Sequence, residues 1–175
     1  MINVSMPIIG NKEIEEVTKA VASGWVSSQG EYINKLEESF ANFCEVEHCV
    51  LVSNGTVAIH LALEVLGIGA GDEVIIPDLT FVATANAVKM CGASPVLADV
   101  RFEDWCIDPN DVRSKITTKT KAIIPVHLYG HPAAMDELKE IAEEFGLNLI
   151  EDAAEAHGAR YKGRRVGGIG TLGTF

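Results

Sequence analysis

Positive charge is scarce in this sequence of 175 residues. Its 14 Lys and Arg stand against 25 Asp and Glu, for a formal net charge of −11. A protein that binds nucleic acid needs a basic face, so we expect no nucleic-acid partner. No apolar run approaches the roughly 20 residues that cross a bilayer, and we expect no membrane segment. Residues 1–7 lack the basic flank and apolar block of a signal peptide, which predicts a cytoplasmic protein.

Closely spaced cysteine pairs are absent too. The chain has four cysteines without CxxC spacing: Cys44, Cys49, Cys91 and Cys106. This pattern predicts structural thiols in a reducing compartment and no metal site. Hydrophobic residues, in contrast, are plentiful at 47%, beside 22% charged residues. That balance is typical of a globular domain with a sizeable core.

Apolar residues recur at helical spacing in the first 45 residues and in short runs after that. Residues 11–23 and 31–43 are predicted to form amphipathic helices around a loop that contains Trp25. The predicted strands are 49–53, 73–77, 95–99, 122–126 and 147–151, and the later predicted helices are 55–66, 81–91, 109–115 and 133–145. This alternation predicts an α/β fold, with a mostly parallel sheet and helices on both faces.

The predicted organisation has two parts. Residues 1–45 provide N-terminal helices and a loop, and residues 46–175 provide an α/β core. Because Thr174 and Phe175 lie within a further apolar run, we expect this core to be incomplete.

Three features fall at the carboxyl ends of predicted strands, where parallel α/β sheets bind ligands. The first is the turn Ser53-Asn54-Gly55-Thr56, which leads into a helix. Gly55 lets a ligand approach the backbone, and the amides of Gly55 and Thr56 would point toward an anion such as phosphate. The alternative is an ordinary capped turn, in which Ser53 or Asn54 bonds the free N–H groups.

The other two features are an aromatic ring and a pair of acids. Phe81 follows the strand 73–77 and either stacks on a heteroaromatic ring or packs in the core. Asp152 and Glu155 follow the strand 147–151 among small residues. A buried carboxylate needs a partner. The candidates are a protonated pyridine nitrogen, a Mg²⁺ ion, or an arginine among Arg160, Arg164 and Arg165.

A fourth segment, from His127 to His131, follows the strand 122–126. His127 either lines the site or is a structural hydrogen-bonding residue. The two histidines do not indicate zinc, because Gly130 and Pro132 preclude the helix that would align their rings. Pyridoxal 5′-phosphate (PLP) has a phosphate group, an aromatic ring and a ring nitrogen, and the three earlier features could each bind one of these groups. Together they predict that cofactor.

The same residues resemble the N-terminal part of the DegT/DnrJ/EryC1/StrS sugar-nucleotide aminotransferases. Six strings carry the resemblance: Gly24-Trp25-Val26-Ser27, Ser53-Asn54-Gly55-Thr56, Gly71-Asp72-Glu73-Val74-Ile75, Asp78-Leu79-Thr80-Phe81, His127-Leu128-Tyr129-Gly130 and Glu151-Asp152-Ala153-Ala154-Glu155-Ala156-His157-Gly158. The resemblance implies the large domain of a fold-type-I PLP enzyme. Gly55 and Thr56 would then bind the cofactor phosphate, and Phe81 would stack on the pyridine ring. Asp152 would pair with the ring nitrogen, and Glu155 would lie near the ring hydroxyl.

The resemblance also implies a reaction. A homodimer would transfer an amino group from glutamate to C4 of a 4-keto-6-deoxy nucleotide sugar. The Schiff-base lysine of the family would lie shortly after Phe175, so we expect it outside this chain and the 175 residues alone to be inactive. Lys162 is no substitute, since it lies in a polar hairpin-like turn. Two alternatives stay open: a deoxysugar 3-dehydratase on the same scaffold, and a non-catalytic binding module.

Overall fold

The computed structural model describes residues 6–175. Two helices come first, α1 (Asn11–Ala22) and α2 (Glu31–Cys44). The remaining elements are α3 (Gly55–Val65), β1 (Glu73–Pro77), α4 (Ala83–Met90), β2 (Ser94–Ala98), α5 (Pro109–Lys115), β3 (Thr120–Ile123), α6 (Met135–Phe145), β4 (Asn148–Asp152), β5 (Arg160–Tyr161), β6 (Arg164–Arg165) and β7 (Leu172–Thr174). None of the helices in this range combines the length and apolar character that a bilayer crossing requires.

Five strands form one parallel sheet in the order β2-β1-β3-β4-β7, and β5 and β6 form a separate antiparallel hairpin. Successive residues of a strand point to opposite faces of a sheet. Ile75 and Ile123 pack in a core with α5 and α6, whereas Ile76 and Ile124 pack in a second core with α3 and α4. The predicted parallel α/β sheet with helices on both faces is confirmed.

The bounds of most predicted elements agree with the structure to within one or two residues. The strand predicted over 122–126 is an exception at its end, since β3 stops at Ile123. Ile124 still donates to the carbonyl of Ile75 at 2.8 Å, but Pro125 has no N–H and interrupts the regular ladder. Its carbonyl accepts from the N–H of Asp152 at 2.9 Å, and Val126 forms an isolated parallel bridge with Asp152. The chain beyond it bends into the loop that leads to α6.

The strand predicted over 49–53 is wrong. The structure has no strand there; the N–H of Leu51 donates to the Glu37 carboxylate at 2.9 Å, and Val50 is 70% exposed. A largely apolar cleft of about 630 Å³ separates this segment from β7. A strand needs a neighbour for its backbone groups, and the described residues place none beside this segment.

α1 is the amphipathic helix that its spacing predicts, but its apolar face packs on nothing. Ile14 is 57% exposed, and Val17 and Val21 are each 63% exposed. No residue of α1 is buried. Within residues 6–175 this apolar face therefore has no cover, and it is available for a larger assembly.

Candidate active site

Asp152 is the last residue of β4 and is 7% exposed. Its Oδ2 accepts a hydrogen bond from Thr84 Oγ1 at 2.8 Å, and its Oδ1 accepts one from the N–H of Ala154 at 3.3 Å. Burial raises the pKa of Asp152, although these two hydrogen bonds oppose the rise. The carboxylate is thus oriented by neutral donors, and among residues 6–175 no cation pairs with it.

The internal partners considered for Asp152 are engaged elsewhere. Arg160 pairs with Glu45 at 2.7 Å, and Arg165 approaches the same carboxylate at 3.8 Å. Arg164 donates to a backbone carbonyl at 3.2 Å. Among residues 6–175, no cluster of three metal-ligating side chains includes Asp152. Within residues 6–175, neither an arginine nor a metal-ligating cluster thus serves as the partner of Asp152.

The N-terminus of α3 presents two unused N–H donors. Asn54 caps the helix, and its side chain accepts from the N–H of Val57 at 3.0 Å. The N–H groups of Gly55 and Thr56 donate to no acceptor within the described residues. A Cβ on Gly55 would lie 3.9 Å from the Cβ of Ala154, so this helix end borders the turn after β4. The turn is therefore capped by Asn54 and still leaves two N–H groups free to donate to a ligand.

Phe81 lies two residues before α4, and its side chain is 72% exposed. The core position considered for this ring is thereby excluded within the described residues. The carbonyl of Phe81 accepts from the N–H of Thr84 at 3.3 Å. Because Thr84 also holds Asp152, the exposed ring and the buried carboxylate are tied to the same helical turn.

Glu155 is exposed, and its carboxylate is bound by the loop after β3. Its carboxylate accepts from the N–H of Tyr129 at 2.7 Å. Tyr129 has a φ of 50°, a conformation that is uncommon for a residue with a side chain. The hydrogen bond joins the turn after β4 to the loop after β3, while Glu155 makes no hydrogen bond to Asp152 or to the start of α3.

His127 does not line the site, because it is fully buried. Its Nδ1 accepts from the N–H of Ala133 at 3.1 Å, so Nε2 carries the proton and donates to Glu151 at 3.0 Å. Of the two alternatives for His127, the structure supports the hydrogen-bonding one. This tautomer leaves the negative charge of the pair on Glu151.

Glu151 binds the loop before β7, a role that the sequence did not indicate. Besides His127, the fully buried carboxylate accepts from the N–H groups of Gly167, Ile169 and Gly170 at 2.8, 2.6 and 2.7 Å. Burial raises the pKa of Glu151, but the bonds from His127, Gly170 and Gly167 outweigh it, and the pKa is lowered overall. One side chain thus fastens the loop that leads into β7.

A doubly covered α/β sheet with a buried carboxylate and two free helix N–H donors at its carboxyl edge is an arrangement typical of proteins that bind small anionic ligands. The profile of the DegT/DnrJ/EryC1/StrS aminotransferase family matches residues 7–175. The chain belongs to that family, and the resemblance of its motifs is confirmed.

Individual relatives agree with this assignment. GDP-perosamine synthase of Escherichia coli O157:H7 is 49% identical over 174 residues, which are 99% of this chain and 48% of the relative. A dTDP-3-amino-3,4,6-trideoxy-alpha-D-glucose transaminase of Streptomyces venezuelae is 48% identical over 146 residues, which are 83% of this chain and 38% of the relative. This chain thus spans about half the length of the curated relatives it matches, or less.

The fold has close counterparts among solved structures. A sugar aminotransferase from Streptococcus pneumoniae, solved in its PLP form, matches with a TM-score of 0.92 at 32% identity. The match covers 98% of this chain and 47% of that protein. The chain therefore has the fold of a PLP aminotransferase of fold type I, as its motifs predicted.

Proposed function

We propose that the whole protein is a PLP-dependent aminotransferase that moves an amino group from glutamate to C4 of a 4-keto-6-deoxy nucleotide sugar, as a GDP-perosamine synthase does. The observation that carries this proposal is Asp152, a buried carboxylate that accepts from Thr84 and has no cationic partner in the part of the chain that the structure describes. The relative from Escherichia coli supports the GDP-linked sugar as substrate.

The residues present fit PLP. The free N–H groups of Gly55 and Thr56 would hold its phosphate. The exposed ring of Phe81 would stack on the face of the pyridine ring. The carboxylate of Asp152 would accept a hydrogen bond from the protonated nitrogen of that ring. When bound, PLP supplies an electron sink for amino transfer. Asp152 strengthens that property, because an adjacent carboxylate keeps the ring nitrogen protonated.

Two exposed residues complete the proposed site. Glu155 would lie near the ring hydroxyl, and its fixed hydrogen bond to Tyr129 supports a set position for that carboxylate. The loop around Trp25, whose side chain is 62% exposed, would approach the sugar nucleotide. Substitution of either residue should weaken substrate or cofactor binding in a titration, and unchanged binding would remove that residue from the site.

We propose that the Schiff-base lysine comes from outside these 175 residues, which form the N-terminal part of the cofactor-binding domain. Lys162 is the lysine nearest to Asp152 along the chain. It lies between β5 and β6, is exposed, and pairs with Asp136. The 175-residue chain alone should therefore show no turnover, and measurable turnover by it would contradict this assignment.

We further propose a cytoplasmic homodimer. The exposed apolar face of α1 supports an assembly larger than one chain. The four cysteines are all free, which supports a reducing compartment. Sedimentation equilibrium of the whole protein should give twice the chain mass, and a monomer at the concentration of the assay would contradict the dimer.

The substrate assignment is tested with the whole protein, glutamate and GDP-4-keto-6-deoxymannose. We expect 2-oxoglutarate and a 4-amino sugar in equal amounts, measured by mass spectrometry. A dTDP-linked keto sugar serves as the comparison and should react more slowly. Turnover of only amino acids or simple keto acids would overturn the proposal. Loss of water from the sugar without glutamate consumption would instead identify a dehydratase.

Thr84→Val tests the support of Asp152. Valine keeps the shape of the buried side chain but removes the donor at 2.8 Å from Oδ2. We expect PLP affinity in the whole protein to fall by about 1 kcal/mol, roughly fivefold. The control is Thr80→Val, whose hydroxyl contacts Thr84 at 3.3 Å and leaves the bond to Asp152 in place. Equal PLP affinity of wild type and Thr84→Val in an absorbance titration would contradict the role of Thr84.

A further inference from the structure

Three side chains with different ligand atoms meet where α3 passes the end of α4. His60 and Glu64 lie on α3, and Cys91 directly follows α4. Their imidazole nitrogen, carboxylate oxygen and thiol sulfur all lie within 4.8 Å of one another. Within residues 6–175 this is the one cluster of its kind, and it shares no residue with the proposed cofactor site.

The spacing of these atoms is close to that of a tetrahedral site. His60 and Glu64 are four residues apart on one helix face, and His60 Nε2 lies 3.4 Å from Glu64 Oε1. Ligand atoms of a tetrahedral zinc site are about 3.3–3.7 Å apart, given metal–ligand distances of about 2.0–2.3 Å. The first two atoms already have this separation. The sulfur of Cys91 has to move closer to the His60 nitrogen and the Glu64 oxygen by about 1 Å at most.

The three groups are also free to bind. The side chains of His60 and Glu64 are 29% and 58% exposed, so an ion and its water can reach them. The thiol of Cys91 donates to the carbonyls of Ala87 and His60 at 3.3 and 3.9 Å, which are weak bonds to give up. Because zinc binds the thiolate form of cysteine, a bound metal displaces a proton from this sulfur.

We propose that His60, Glu64 and Cys91 bind one Zn²⁺ ion, with water as the fourth ligand. A thiolate and an imidazole favour zinc over Mg²⁺ or Ca²⁺, which prefer oxygen ligands. The ion joins α3 to the end of α4. These are the two helices whose first turns carry Gly55 and Thr84, so the metal stabilises the frame of the cofactor site without touching it. The inference is independent of the proposed reaction.

Zinc titration of the purified, chelator-treated protein tests the site. We expect one Zn²⁺ per chain by calorimetry and a higher melting temperature with zinc than without. With Co²⁺ in place of zinc, we expect the charge-transfer absorption of a thiolate–cobalt bond, which reports directly on Cys91. His60→Ala and Cys91→Ser should each weaken zinc binding at least tenfold, and Cys91→Ser should abolish the cobalt band.

Matched controls come from the same chain. His48 lies 3.5 Å from Glu47 and is exposed, but within residues 6–175 it belongs to no cluster of three ligating side chains. His48→Ala should therefore bind zinc as wild type does. If His60→Ala or Cys91→Ser unfolds, Glu64→Gln replaces it, because Glu64 is mostly exposed. Equal zinc affinity in wild type and Glu64→Gln, or no thiolate–cobalt band in wild type, would overturn the proposal.

Discussion

Asp152→Asn is expected to lower the turnover of the whole protein by a factor on the order of 10³. Asparagine nearly keeps the shape of the side chain but removes the charge that keeps the cofactor ring nitrogen protonated. PLP affinity should fall less, because the N–H donors of Gly55 and Thr56 remain. Steady-state rates and PLP titrations measure the two effects separately. The control is Asp136→Asn at the exposed pair with Lys162, which should leave turnover unchanged.

The same variant has an expected effect on stability without PLP. Because burial raises the pKa of Asp152, its charged form is disfavoured in the folded protein. The stability of the wild type should therefore fall as the pH rises from the ordinary carboxyl pKa through the raised one, and Asp152→Asn should lack this loss. Urea unfolding of the PLP-free proteins across this pH range measures it. A less stable Asp152→Asn with normal turnover would give Asp152 a structural role instead.

Glu151→Gln is expected to destabilise the protein by about 1–3 kcal/mol, with or without PLP. Its carboxylate accepts from His127 and from three backbone N–H groups, including Gly167 and Gly170. A glutamine amide turns an N–H₂ group toward some of these donors and leaves them unpaired. Chemical denaturation measures the loss. The control is Glu47→Gln beside His48, an exposed pair of the same types, with an expected change within about 0.5 kcal/mol.

The pH dependence distinguishes Glu151 from its neighbour. The pKa of Glu151 is lower in the folded protein than in the unfolded chain. The charged Glu151 side chain therefore adds to the free energy of unfolding above the ordinary glutamate pKa, and this stabilisation is lost as the pH falls through the lowered pKa. Glu151→Gln should lack this acid-dependent loss. A variant as stable as wild type at neutral pH would contradict the role assigned to Glu151. Adjacent residues of one strand thus have separate expected effects, stability for Glu151 and turnover for Asp152.

The fold was predictable where a local pattern determines burial. Apolar runs such as 73–77 became strands because both faces of the sheet are covered by helices. The run 49–53 has the same local pattern but no neighbouring strand among the described residues. An apolar run indicates that a segment tends to be buried. A strand also needs a neighbouring strand for its backbone hydrogen bonds, and the local sequence does not show whether one is present.

The candidate site was predictable where topology alone brings residues together. The carboxyl ends of parallel strands share one edge, so the position of Asp152 at the end of β4 followed from the order of elements. The strand predicted before Gly55 is absent, and the start of α3 reaches the turn after β4 through packing. The bond from Thr84 to Asp152 joins residues 68 apart in sequence, and the pair of His127 with Glu151 joins residues 24 apart. Such pairs depend on the register of packed elements. The cluster of His60, Glu64 and Cys91 escaped sequence reasoning for the same reason.

The most direct test of the cofactor role of Asp152 is a single-turnover experiment with the PLP-loaded whole protein and glutamate, without any sugar. We expect rapid release of 2-oxoglutarate in an amount equal to the bound PLP, followed by no further release. Asp152→Asn, loaded with the same amount of PLP, should release it slower by a factor on the order of 10³. Equal release rates from the two proteins would contradict the cofactor role of Asp152. No release from PLP-loaded wild type would contradict the proposed aminotransferase activity.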